Sequence, residues 1–191
     1  MEGCRLAVND LACRRGDRVL FRGLSFALTG GEALQVTGPN GTGKSSLLRI
    51  IAGLLRPFAG TLERSGAIGL VDERPALDEH LPLGRALAFW ARVDGPSAPL
   101  SSLGLDTLMD VPVRFLSTGQ RKRAAILTSN AREAGLWLLD EPLNGLDTES
   151  SAAFQQQVAD YLARGGIAVI ASHQPFDLPG LKRIALADYA P

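Results

Sequence analysis

The sequence holds only two cysteines, Cys4 and Cys13, too few for a secreted disulfide scaffold and without any Cys-x-x-Cys pair. It also lacks net charge, with 20 Lys+Arg against 20 Asp+Glu. That balance argues against a nucleic-acid binder that neutralises many phosphates, and against adhesion to acidic lipid by charge alone. No apolar run approaches the roughly 18 residues of a membrane span. The start, MEGCRLAVND, shows no positive segment followed by an apolar run, so no signal peptide is read there and a cytosolic chain is expected. Lysine is scarce: Lys44, Lys122 and Lys182 stand against seventeen arginines, which makes the position of each lysine informative. No repeat of solenoid or propeller period is visible.

What is present suits an ordinary globule of 191 residues, 46% of them apolar. Arg18–Leu28 alternates as a strand, with Val19, Leu20, Leu24, Phe26 and Leu28 available to an inner face. Ala33–Thr37, Ala67–Val71, Leu136–Leu139 and Ile167–Ala171 are short apolar strand candidates. Helical spacing runs over Lys44–Leu55, closed by Pro57, and over Thr148–Ala163, which ends at Gly165-Gly166. Strands alternating with helices predict an α/β fold with a mainly parallel sheet covered on both faces. From about residue 75 to 134 proline is frequent and helical patterns dominate. That stretch is expected to be a helical insertion in a single domain whose core is 1–74 and 135–191.

Gly38-Pro39-Asn40-Gly41-Thr42-Gly43-Lys44-Ser45 fits G-x-x-x-x-G-K-[ST] between a strand and a helix. Its glycines allow the backbone to wrap an anion with inward N–H groups, and the following helix turns its positive end to the same place. Lys44 would neutralise β- and γ-phosphates, and the Ser45 hydroxyl would ligate Mg²⁺. Asp140 and Glu141 end the strand Leu136–Leu139, on the edge where parallel sheets bind ligands. There Asp140 can hold the metal, directly or through water, and Glu141 can polarise an attacking water. Ser117 is a good N-cap for the helix that follows, whose free N–H groups form a second anion site. Cations at that helix start, Arg121 and Lys122, oppose the dipole and suggest that an anion is expected. His173, after Ile167–Ser172, falls on the same edge as Asp140.

GPNGTGKS, LSTGQ, LLDEP, NGLD and ASHQ, in that order, resemble the ATP-binding cassette (ABC) ATPase family over nearly the whole chain. The segments LFRGLSFALTGGEALQVTGPNGTGKSSLLRIIAGLLRPFAG, ALAFW, VPVRFLSTGQRKR and LWLLDEPLNGLD are most similar to the ATP-binding subunit of the bacterial haem exporter of cytochrome c biogenesis, the CcmA family. The resemblance implies a P-loop ABC ATPase fold, with an antiparallel β lobe beside the parallel core. It makes Gly38, Pro39, Asn40, Gly41, Thr42, Gly43, Lys44, Ser45 and Ser46 the ATP loop, Ser45 and Asp140 the Mg²⁺ ligands, Glu141 the general base and His173 the γ-phosphate contact. Ser117, Gly119 and Gln120 resemble the signature that touches ATP on the opposite subunit, and Asp147 lies in the loop crossing between subunits.

The implied assembly is a homodimer around two ATP molecules. Integral-membrane permease subunits of the CcmB kind are its implied partners, on the cytoplasmic face of the bacterial inner membrane, and no nucleic acid. An ABC ATPase for another small substrate, or a soluble non-transport ABC ATPase, is the alternative. Two positions depart from the family. Its usual glutamine after Ala67–Val71 matches Arg74, which either points away from the metal or leaves its place to Glu73 or Asp72. The aromatic that stacks on adenine matches Arg15, whose planar guanidinium can stack, although Phe21 could serve instead.

Overall fold

A computed structural model of the chain describes residues 3–72, 76–94, 103–128 and 134–191. Its first half carries β1 (Arg5–Arg15), β2 (Arg18–Thr29), β3 (Ala33–Thr37), α1 (Lys44–Ala52), β4 (Ala59–Ser65) and β5 (Ile68–Val71). Its second half carries α2 (Leu83–Asp94), α3 (Thr118–Thr128), β6 (Leu136–Asp140), α4 (Thr148–Ala163), β7 (Ile167–Ala171) and β8 (Lys182–Ala185). β2, β1 and β4 make a three-stranded antiparallel sheet. The other five strands lie in the order β5-β6-β7-β3-β8, and every pairing among them is parallel. This is the expected α/β architecture with its antiparallel lobe.

β6 and β7 are buried at every residue, which is why they read as unbroken apolar runs. On one face of the parallel sheet Leu136, Leu138, Val169 and Val36 pack with α1 and with Leu6, Phe21 and Leu24 of the antiparallel sheet. On the other, Trp137, Leu139 and Ile170 pack with Ala124 of α3 and with Phe154, Val158 and Tyr161 of α4. Trp137 meets Phe154 and Tyr161 edge to face, with ring centroids 5.5 and 5.4 Å apart. Among the described residues no strand falls between 76 and 128, and no helix is long and apolar enough to cross a membrane.

Two local expectations need correction. α1 stops at Ala52 rather than reaching Leu55, because Gly53 takes φ 80° and turns its N–H back to Arg49 and Ile50 carbonyls. Leu54 is consequently 69% exposed. In β2 the inner face passes through Phe21, Leu24 and Leu28, while Val19 is only half-buried. The shift of register between the pairs Leu11–Leu24 and Cys13–Phe21 breaks the simple alternation there.

Candidate functional site

The order β6-β7-β3 brings three C-terminal strand ends side by side, and each delivers part of one cleft of about 420 Å³. Asn40, Gly41, Gly43, Lys44, Ser45 and Ser46 line it from the loop after β3. Asp140, Glu141 and Asn144 line it from β6 and the turn beyond, and His173 from the loop after β7. Gly43, at φ 108°, lies against Phe21 and Leu20, so only glycine fits where the loop enters α1. No side chain caps α1 and no acid occupies its first turn, which leaves its positive end open to the cleft.

Lys44 is 7% exposed. Its Nζ donates to the carbonyl of Gly38 at 2.7 Å and of Pro39 at 3.4 Å, and stands 3.7 Å from Oε1 of Glu141. Thr42 closes the loop from within, its hydroxyl donating to the Pro39 carbonyl at 2.9 Å. The other oxygen of Glu141, Oε2, meets Nδ1 of His173 at 2.9 Å. One carboxylate therefore joins the lysine to the histidine across the mouth of the cleft. Glu141 reaches both because its backbone sits at φ 46°, an unusual value for a residue with a β-carbon.

Asp140 is 3% exposed, and burial pushes its carboxyl above the ordinary carboxylate value. A hydrogen bond with Ser45 and the charge of Lys122 oppose that rise, whereas the charges of Asp72 and Glu141 add to it. A buried acid bonded to a hydroxyl, facing a cleft rimmed by a lysine and a helix N-terminus, is a hard oxygen donor set beside an anion site. It fits Mg²⁺ with a phosphate chain.

Gly38, Pro39 and Thr42 shape the loop without lining the cleft. Neither Ser117, Gly119, Gln120 nor Asp147 lines it. Ser117 caps α3 as expected: its Oγ accepts from the Gln120 N–H at 3.2 Å, and Oε1 of Gln120 accepts from the Ser117 N–H at 2.8 Å. Gly119 is packed inside the chain, where a β-carbon would collide with the carbonyl oxygen of Gly145. Asp147 caps α4, accepting from the Ser150 N–H at 2.7 Å. The two cations at the start of α3 are engaged within the chain. Arg121 donates to the carbonyls of Leu116 and Arg114, and Lys122 reaches across to the carbonyl of Asp140 at 2.8 Å.

Arg15 is exposed beside the turn joining β1 to β2 and does not line the cleft, whereas Leu20 does. Phe21 is fully buried under Gly43 and is not available to stack on a base. Arg74 and Glu73 lie outside the described residues, and Asp72 is paired with Arg49 of α1 at 3.0 Å. Leu20 and Lys122 had no motif to announce them, although the scarcity of lysine was a hint for Lys122. Asn144 stands inside NGLD but carried no expected role.

The model of the family described as ABC transporter matches residues 21–144. The cytochrome c biogenesis ATP-binding export protein CcmA of Novosphingobium aromaticivorans is 58% identical over 191 residues, all of both chains. The protein of the same name from Zymomonas mobilis is 48% identical over 97% of this chain and 86% of its own. A solved structure described as the ATP binding subunit of an ABC transporter superposes with a TM-score of 0.78 at 25% identity. That superposition covers 88% of this chain and 79% of that one.

Proposed function

The chain belongs to the ABC transporter ATPases, within the CcmA family, and on that premise we propose how its residues bind and hydrolyse ATP. The observation that carries the reading is the Lys44–Glu141–His173 bridge over the cleft beside Ser45 and Asp140. Lys44, the amides of Gly41 and Gly43, and the open end of α1 hold the phosphate chain. Ser45 and Asp140 would hold Mg²⁺, which when bound would neutralise charge on the phosphate chain. Glu141 takes a proton from the attacking water as general base. His173, on the far side of the same carboxylate, orients Glu141 and donates toward the γ-phosphate. As phosphate draws Lys44 away from the Gly38 and Pro39 carbonyls, Glu141 loses one of its cationic contacts and is released toward water.

Ser117, Gly119 and Gln120 stand apart from this cleft, which agrees with a signature serving ATP held by a second copy. The working unit is then a homodimer closed around two ATP molecules, with Asp147 in the loop between the copies. ATP binding favours the closed form, and hydrolysis removes the ligand that bridges it. The relatives are named for export in cytochrome c biogenesis. The reading for this chain is an energy-supplying subunit for haem export or release of a haem chaperone. It would sit on the cytoplasmic face of the inner membrane through CcmB-like integral-membrane partners. Balanced charge leaves no reason to invoke nucleic acid.

Purified Glu141→Gln protein should bind Mg-ATP and accumulate as a dimer. Its turnover should fall about 100- to 10,000-fold, the usual contribution of a positioned base. Wild-type turnover in that variant would overturn the assignment of the base. Loss of mature c-type cytochromes in cells carrying Lys44→Ala, with other haem proteins intact, tests the export reading.

A further inference from the structure

β3 runs Ala-Leu-Gln-Val-Thr, and the glutamine is out of character for a strand in the middle of a covered sheet. Gln35 is 2% exposed. Its register partners are Ile170 on β7 and Arg183 on β8, which sets its side chain on the face where Ile170 packs toward α4. Packing alone would be served by leucine, since a buried amide left unpaired is destabilising. Here the amide is engaged at both ends. Nε2 donates to the carbonyl of Gln174 at 2.7 Å and, more weakly, to that of Ser172 at 3.5 Å. Oε1 accepts from Nε of Arg183 at 3.2 Å, and Nη2 of the same guanidinium donates to the Phe176 carbonyl at 3.1 Å.

The segment so gripped is the one that bears His173. Its other bonds run toward the cleft: the Gln174 N–H donates to Oγ of Ser172 at 3.0 Å, and Nε2 of Gln174 donates to Oδ1 of Asn144 at 3.0 Å. Asn144 in turn donates its N–H to the carbonyl of Glu141 at 3.2 Å. His173 thus stands between two residues whose carbonyls one buried amide holds, while its ring is 58% exposed. A ring so open to solvent takes its aim from its backbone, and misplacement by about 1 Å can cost roughly 100-fold in rate.

We infer that Gln35, braced by Arg183, is a positioning residue for ATP turnover: it fixes the Ser172–Gln174 backbone so that the His173 imidazole meets the Glu141 carboxylate. This rests on the roles proposed above for His173 and Glu141. It is tested with the full-length protein, assayed alongside wild type under the same conditions and with the same membrane partners. Gln35→Leu should lower kcat about tenfold or more while KM and the Kd for Mg-ATP stay within about twofold. A purely structural defect would instead move Kd and thermal stability together with kcat. In a His173→Ala background Gln35→Leu should cost nothing further, because both act through one ring.

Should Gln35→Leu fail to fold, Arg183→Met loosens the same amide from the surface and should lower kcat about threefold or more. Arg183→Lys, which keeps a donor, should recover most of it. Unchanged kcat in both Gln35→Leu and Arg183→Met, with His173→Ala impaired, overturns the positioning role and leaves the reading of the site standing. Unchanged kcat in His173→Ala overturns that reading, and this inference falls with it.

Discussion

At Glu141 the chain leaves β6 with φ 46°, a region that costs a residue bearing a β-carbon on the order of 1–3 kcal/mol. The turn holds because its own N–H donates to the Ala171 carbonyl at 2.8 Å and its carbonyl accepts from Asn144. What the strain achieves is placement, since it lifts one carboxylate into reach of both Lys44 and His173. Gly119 illustrates the opposite case, a position fixed by space. A methyl group there would strike the Gly145 carbonyl oxygen, which is backbone and cannot swing aside. Gly119→Ala should therefore lower the melting temperature of the nucleotide-free protein by several degrees, from an overpacking cost of about 1–3 kcal/mol. A melting temperature equal to wild type would show that the α3–Gly145 contact is looser than described. The three lysines share a pattern: each ammonium is bound, Lys44 in the loop, Lys122 on Asp140 and Lys182 on Glu32 at 2.6 Å.

Among the elements, α4 shows how one cap sets a boundary. Hydrogen bonds from the Ser150 N–H, then from its hydroxyl, hold the Asp147 carboxyl below its ordinary value. A group whose pKa falls on folding contributes stability above its unfolded pKa and loses it as pH drops through the folded one. Asp147→Ala should then melt a few degrees below wild type near neutral pH without nucleotide, and the gap should close below about pH 4. Calorimetric scans across pH decide it, and a gap independent of pH would mean that the carboxylate charge plays no part.

Elements of this kind were readable because their signals are local. Asp147 followed by Thr148–Ala163, and apolar runs such as Ile167–Ala171 between glycine and the loop, need nothing distant to interpret. β1 was harder, since Asp10 at φ 49° and three register shifts against β2 break its alternation. β4 exposes all but Leu62 and exists through its pairing with β1. At the end of α1, Leu54 and Leu55 continue the helical period, but the glycine before them decides. The same division runs through the cleft. Loop and strand-end residues announced themselves by motif, whereas Gln35 acquires its meaning from strands paired far along the chain and Leu20 from its packing against Gly43 of the loop.

For the molecule as a whole, the cleft makes nucleotide a stabilising ligand. At a hundredfold excess over Kd it should contribute about 2.7 kcal/mol, which raises the melting temperature of a chain this size by about 5–10 °C. Lys44→Ala should abolish that rise while leaving the ligand-free melting temperature within a few degrees of wild type. An equal rise in the variant would place the phosphates elsewhere.

The position of β3 between β7 and β8 has a consequence for biosynthesis. The strand that feeds the phosphate loop is translated early, yet both of its hydrogen-bonding neighbours emerge more than a hundred residues later. Until Lys182–Ala185 is in place, that strand has an open edge on the side away from β7. A protein clipped just before residue 182 would keep every signature motif yet leave the strand that feeds the phosphate loop unpaired on one side.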